Sequence, residues 1–398
     1  MSNTQTTTLN AEGNNLSAEM KTFYDMTLID EATPNLVYDQ FGQKRPIPSG
    51  KGKTIEFRKF SSLPKALKPI TEGVTPEGNK LNVTAVTATV EQYGDYIEQS
   101  DILELTAIDN TIVEATKMLG NQAGRTLDTI VRNEVVGGTS VLYGSKDGVR
   151  ASHRYEITEG HKITADDIFD AAAELKGNNA PKIDGSYVAI VHPHVARDLM
   201  IASKENGSWI DINKYADPKN IFEGEIGKIG GVRFVETTEA KIFSAKDLTD
   251  SSRTLTVKTA VSGGSEVEVN EAIDGSIIGR KVLVGSLQAE VIGVDTGKIT
   301  LDEEVTVKAG EVIFPGEAGK DGSSVYATVV LGQGAYGVTE ISGGGLQHIV
   351  KQLGFGADPL NQRSSVGWKA TKAAKRLVEE NMVRIETGSY KSLSGVGN

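Results

Sequence analysis

Between two β-rich stretches lies one unbroken helical pattern, residues 108–136, reading IDNTIVEATKMLGNQAGRTLDTIVRNEVV. Apolar or small residues recur at Ile112, Ala115, Leu119, Ala123, Leu127, Ile130 and Val131. That three-to-four spacing defines one helix face. Asp109 can cap the start and Gly137 can end it. A helix of this length makes a rod of roughly 40 Å, at about 1.5 Å per residue. Ordinary globular domains rarely need one so long. Taken alone it is a long core helix, and its flanks decide what it supports.

Upstream, residues 51–100 read as a long β-hairpin. The first strand is TIEFRKF and the return is NVTAVTATVEQYGDYIEQ, whose Val83–Val90 run is β-branched and alternating. Between them, SSLPKALKPITEGVTPEGNK holds Pro64, Pro69 and Pro76 with Gly73 and Gly78. Such a long, stiff excursion in a compact domain is usually functional or a linker. Leu63, Pro64, Leu67, Pro69 and Ile70 are too apolar for a loop bathed in water. They are the candidate subunit-interface residues. Residues 1–50 read as a polar arm with one amphipathic piece near Met20–Ala32.

Downstream, GGTSVLYGSKDGVRASHRYEI is turn-rich and β. A helix follows in TADDIFDAAAELKGNNA, with Thr164 and Asp167 spaced as a capping box. SYVAIVH reads as a buried strand, and PHVARDLMIAS as a helix with Pro193 in its first turn. GEIGKIGGVRFVETTEAKIF reads as a tight turn feeding a strand. Residues 245–324 change character. Short β segments recur every eight to twelve residues between Gly and Asp turns, the pattern of a small all-β sandwich or barrel. With 8 basic and 14 acidic residues, this stretch carries −6 of the chain's net −11. Strand-like sequence resumes in SVYATVVLGQGAYGVTE, so the β segment reads as an insertion. The run VGWKATKAAKRLVEENMVRIET mixes a helical stretch with a final strand, Met382–Glu386. No repeat period spans the chain.

Composition narrows the functional classes. At 398 residues the chain can hold two or three cores. A net charge of −11 argues against a surface built to wrap nucleic acid. With 0 cysteines, disulfides, thiolate catalysis and zinc–thiolate sites are excluded, which suits assembly in a reducing cytoplasm. No run approaches the ~18 apolar residues of a membrane span, and the N-terminus lacks the pattern of a signal peptide.

Motifs for chemistry are few. Gly332, Gly334 and Gly337 match G-x-G-x-x-G after a strand, but VTEISGGGLQ follows where a phosphate-binding helix should open. Gly52-Lys53-Thr54 ends like a phosphate-binding loop, yet Ile47 stands where the loop needs its first glycine. His192 and His194 could begin a metal site but lack a third ligand at helical spacing. Their strand-to-helix position points to capping. Asp166–Asp167 and Glu379–Glu380 are adjacent carboxylates that would point apart on a helix. The reading is no catalytic, cofactor or metal site.

Several runs resemble a phage family: GGTSVLYGSKDGVR (137–150), ITADDIFDAAAELKGNNAPKIDGSYVAIVHPHVARDL (163–199) and FEGEIGKIGGVRFVETTEA (222–240). Together with the element order, they are similar to tailed-bacteriophage major capsid proteins, in particular the family of the coliphage N-four coat protein. The resemblance implies an α+β chain with the HK97-like major capsid fold plus an inserted small all-β domain. It implies an N-terminal arm (1–50) and an extended hairpin loop (51–100) reaching over a neighbour. A peripheral domain (101–180 and 361–398) would carry the spine helix 108–136. An axial domain (181–244 and 325–360) would complete the body, with 245–324 inserted. The implied function is self-assembly of hexameric and pentameric capsomers into an icosahedral or prolate head shell around double-stranded DNA. The chain would be a virion component assembled in the host cytoplasm. Implied partners are further copies of the chain, a separate scaffolding protein, a portal and a decoration protein. DNA would be enclosed without sequence-specific binding, and no membrane is involved. Two other readings stand beside this one. One is an encapsulin-type bacterial shell enclosing a cargo enzyme. The other is a nucleotide-binding enzyme built on the GQGAYG turn.

Overall fold

The computed structural model describes residues 28, 31–32, 35–46, 53–60, 65, 67, 69, 78, 80, 83–101, 111–204, 210–211, 224–244, 248–249, 254–284, 287–340, 346–351, 360, 362–393 and 397–398. They fall into two compact units. One comprises 1–135 and 334–378, the other 136–333 and 379–398.

The first unit is built on the long helix, α1 (Thr111–Val136). The expected capping residue Asp109 lies outside the described residues. Ala115, Leu119, Ala123, Leu127 and Val131 are buried along one face, as their spacing requires. That face packs on a three-stranded antiparallel sheet in the order Leu346–Lys351, Arg363–Lys372, Glu91–Ser100. Val366, Trp368 and Ala370 alternate inward from its central strand. On α1 a Cβ at Gly124 would lie 2.4 Å from the Ala32 carbonyl, so glycine lets the N-terminal segment cross the helix closely.

Two sequence expectations fail here. The expected long hairpin exists only as the ribbon Thr54–Phe60 with Val83–Thr89, in register from Thr54↔Thr89 to Phe60↔Val83. Its return strand does not continue. Glu91–Ser100 pairs instead with Arg363–Lys372 over ten residues, Glu91↔Lys372 to Ser100↔Arg363. The C-terminal run expected to be partly helical is strand: Arg363–Lys372, then Ala374–Arg376, a short 3-10 turn Glu379–Asn381, and strand Met382–Thr387. Its lysines, alanines and arginines favour helix by propensity. The long ladder and the burial of alternate residues outweigh that weak preference.

The second unit centres on an eight-stranded mixed sheet. The path runs Val141–Tyr143, Met382–Thr387, Val325–Leu331, Tyr187–Val191, Val232–Glu236, Glu225–Ile229 and Ile210–Asp211, with Ile242–Phe243 added beside Val325–Leu331. Two helices pack on it, α2 (Ala165–Gly177) and α3 (Pro193–Lys204). Thr164 and Asp167 form the expected capping box. Tyr187–Val191 is buried at every residue, as a central strand covered on both faces should be. Glu225–Ile229 and Val232–Glu236 form an antiparallel hairpin, where the sequence suggests only a turn and one strand.

This division differs from the one drawn on sequence. α2 and Met382–Thr387, assigned there to the peripheral part, share the core of the eight-stranded sheet. Leu346–Lys351, assigned to the axial part, lies on α1. Local sequence does not reveal which sheet a strand joins.

Residues 255–315 form a six-stranded antiparallel sheet in the order Leu255–Thr256, Val312–Pro315, Lys281–Val284, Leu287–Asp295, Lys298–Val307, Val261–Glu268. Val257 bridges Val269, Lys258 N donates to Glu268 O at 2.8 Å, and Asn270 N donates to Thr256 O at 3.0 Å. First and last strands therefore meet, and the sheet closes into a small barrel without long open edges. Its core, including Val267, Val282, Val291 and Ile299, contains only residues between Leu248 and Ile313. The chain leaves and re-enters the larger sheet at one place, where Phe243 pairs with Val325. No helix among the described residues is long and apolar enough to cross a membrane.

Candidate subunit interface

Within the excursion between the ribbon strands, Leu67 and Pro69 are exposed, Leu67 at 82%. Leu63, Pro64 and Ile70 lie outside the described residues. A leucine so open to water loses most of the transfer free energy its burial would give, about 1.5–3 kcal/mol. It is the most exposed large apolar side chain described in this unit, ahead of Leu360 at 73% and Met118 at 67%.

A second apolar feature lies on the sheet face turned away from α1. Cross-strand register places Ile349, Gly367 and Tyr96 in one row. A Cβ on Gly367 would lie 2.8 Å from Tyr96 Cβ, so the glycine makes room for the tyrosine. Gly94, Glu98, Lys351 and Lys369 complete an open groove of about 760 Å³ with a mixed charged rim.

The motifs weighed for chemistry resolve into structure. After Gly332 and Gly334 the chain enters the strand Tyr336–Thr339, where a phosphate loop would need a helix. A Cβ at Gly337 would lie 2.3 Å from the Phe57 ring, so packing explains that glycine. His192 caps α3: its Nδ1 accepts the His194 N–H at 3.2 Å, while its carbonyl accepts from Val195 and Ala196. Burial, then the neighbouring His194, pushes the His192 imidazole pKa down to about 4, so the capping nitrogen is free of a proton at neutral pH. His194 Nδ1 lies 3.1 Å from the Tyr326 hydroxyl. Among the described residues no cluster of three metal-ligating side chains occurs.

Several buried charges are paired to one another. Glu386, fully buried, accepts Arg154 Nε at 2.7 Å and Arg384 Nε at 2.8 Å. Arg233 donates to both oxygens of Glu225 at 2.9 Å. In the first unit Lys372 pairs with Asp39, and Tyr38 N donates to Asp128 Oδ1 at 2.7 Å. Sequence reasoning missed all three sites, because their partners lie far apart in the chain or on different elements. Outside these interior pairs, the described residues expose single large apolar side chains such as Leu67, Leu360 and Met118.

Comparison with known proteins relates the chain to phage capsid proteins. A model of the family described as "Phage capsid protein" matches residues 117–298. A search of the curated proteins finds no match. Three solved structures share the fold. The capsid of Ralstonia phage GP4 aligns with a TM-score of 0.57 at 13% identity, covering 88% of this chain and 87% of that one. The head of Helicobacter pylori bacteriophage KHP40 gives 0.51 at 9% identity, covering 87% and 86%. The capsid of cyanophage P-SCSP1u gives 0.50 at 13%, covering 89% and 88%. The fold is the HK97-like major capsid fold. The family match on its central segment and the shared fold make the chain similar to phage capsid proteins. The likeness reaches phage capsid proteins in general; the narrower resemblance to the N-four coat protein stays an expectation of the sequence.

Proposed function

We propose that the chain assembles as hexameric and pentameric capsomers of an icosahedral or prolate shell around double-stranded DNA, with a scaffolding protein and a portal taking part in assembly. It turns over no substrate. The observation that carries the reading is Leu67, held in water on a proline-stiffened excursion beyond a two-stranded ribbon. The excursion clasps a neighbouring subunit and buries Leu63, Pro64, Leu67, Pro69 and Ile70 there. A stiff segment loses little entropy on docking. The net charge of −11 repels DNA and leaves the genome free to enter and leave. Heterologous contacts that close are the way one sequence makes a shell.

The expected result for Leu63→Asp with Leu67→Asp is a folded subunit that forms no shells, because a buried unpaired charge costs several kcal/mol. Sedimentation and negative-stain microscopy of the purified protein, with and without its scaffold, read the outcome. Shells in normal yield from the double mutant would remove the clasp. A wild-type protein that stays monomeric under every condition would remove the assembly reading itself.

The unit carrying α1 serves as the peripheral domain and the eight-stranded unit as the axial domain. The barrel is a separable insertion on the outer face and a docking point for a decoration protein. Its own core and the Phe243↔Val325 pairing at its base support the separable insertion. Replacing residues 246–322 by a short Gly/Ser linker is expected to leave soluble, shell-forming protein. Insoluble protein would instead make the barrel an integral part of the axial core.

A further inference from the structure

Two side chains from distant parts of the first unit, Asp39 and Lys372, meet in its interior, and a third, Asp128, accepts the N–H of the residue before Asp39. Asp39 sits in the 3-10 turn Asp39–Phe41, Lys372 ends the strand Arg363–Lys372, and Asp128 projects from α1. All three are buried, at 5%, 1% and 0% exposure. Lys372 Nζ contacts Asp39 Oδ1 and donates to Thr339 O at 3.1 Å. Asp128 uses only one oxygen. Oδ1 accepts the Tyr38 N–H at 2.7 Å, while the buried Oδ2 has no hydrogen-bond partner. The buried rings of Tyr38 and Tyr336 belong to the same site, Tyr336 donating its hydroxyl hydrogen to Tyr38 O. The other charges that act here are Arg132, buried on α1, and Lys44.

A lysine and an aspartate in contact are the two halves of an amide. In water they stay apart, because the amine is protonated and the solvent favours hydrolysis. A dry interior changes both conditions. Burial lowers the Lys372 pKa, although Asp39 opposes it, and so eases formation of the neutral amine. Burial raises the Asp128 pKa to about 8, so this carboxyl keeps its proton at neutral pH. Fixed contact supplies the proximity that a free amine and acid lack, and a protonated neighbour can act as general acid.

We propose that Lys372 and Asp39 condense to a side-chain amide, with the Oδ2 side of Asp128 as the proton shuttle. Lys372 Nζ attacks Asp39 Cγ, the new C–N bond forms, and one Cγ–O bond breaks. Starting from ammonium and carboxylate, two protons leave the nitrogen and depart with that oxygen as water. Asp128 passes a proton to the leaving oxygen and recovers one from nitrogen, ending as it began. No oxidant or co-reactant is needed. The bond joins residues 333 apart in sequence and ties the segment after the N-terminal arm to the sheet under α1. Closing so long a loop restricts the unfolded chain strongly. The proposal is independent of shell assembly, and its test does not require shells.

Mass spectrometry of the purified full chain under denaturing conditions decides it. The expected mass is one water below that of the sequence, and a tryptic digest contains one joined peptide holding both Asp39 and Lys372. Asp128→Asn keeps an acceptor for the Tyr38 N–H but loses the proton shuttle, so its mass should match its sequence. Lys372→Met should match its sequence too. Asp39→Asn retains a condensable group and should lose one ammonia instead. Full-length mass for the wild type overturns the proposal. So does a missing water without the joined peptide, since succinimide formation at an Asp-Gly pair gives the same loss. Bond formation that persists in Asp128→Asn would overturn the role given to Asp128.

Discussion

Glu386→Ala is expected to destabilise the eight-stranded unit by about 3–5 kcal/mol, the cost of breaking a buried ion network from one side. Glu386 is fully buried on the strand Met382–Thr387 and holds two guanidinium groups at once. Arg154 also lies over the Phe243 ring, 3.5 Å from its centroid. Arg384 donates to the carbonyls of Val136 and of Gly138, the latter at 2.8 Å. These contacts position both arginines, although Arg154 keeps 23% of its side chain exposed. Burial already pulls the Arg384 pKa down, and Glu386 is the charge that opposes this. Alanine would leave two mostly buried cations facing each other without their shared carboxylate. Glu386→Gln should cost less, because it keeps an acceptor. Replacing all three members with apolar residues of similar size should restore much of the loss, since a buried ionic group is costly to break and often cheap to replace. Urea unfolding of the isolated subunit measures the effect. A loss under about 1 kcal/mol for Glu386→Ala would show that water reaches the site.

How much of this was written in the sequence varies with the range of the interactions. The helices are local objects. The stripe from Ala115 to Val131, the Thr164–Asp167 box and Pro193 at the start of α3 each act within a few turns, and each reads correctly. The barrel reads correctly as a β segment because its strands alternate and its turns recur. Its closure through Val257 and Val269 does not show in any local pattern. Partner choice is where sequence reading fails. Glu91–Ser100 continues the alternation of the ribbon strand before it, yet it joins a strand about 270 residues later. Lys372 looks like a surface charge on a helical stretch, and Glu386 like the end of a strand, until distant partners, Asp39 and Arg154, bury them. The candidate interface residues are half read: apolar composition marks Leu67, and only its exposure shows that this chain alone leaves it uncovered.

The two units are expected to respond to acid in opposite directions. In the first, burial raises the Asp128 carboxyl pKa to about 8, with Asp39 adding to the rise and the Tyr38 N–H opposing it. The folded form therefore keeps a proton that the unfolded chain releases near pH 4. Between those values stability falls as pH rises, by up to about 1.4 kcal/mol per unit, so acidification strengthens this unit. In the second unit His192 must be neutral to accept the His194 N–H, and its folded pKa is about 4. The unfolded chain binds that proton near pH 6.5. Stability from His192 is complete above pH 6.5 and is lost as pH falls towards 4. Hydrogen exchange at pH 6.5 and 4.5, corrected for intrinsic rates, separates the two effects. Protection should rise in α1 and fall in α3. Asp128→Asn should flatten the first change and leave the second. His192→Asn, which keeps a capping side chain, should do the reverse. If α1 and α3 lose protection together in both variants, acid acts through other carboxylates and neither buried group governs its unit.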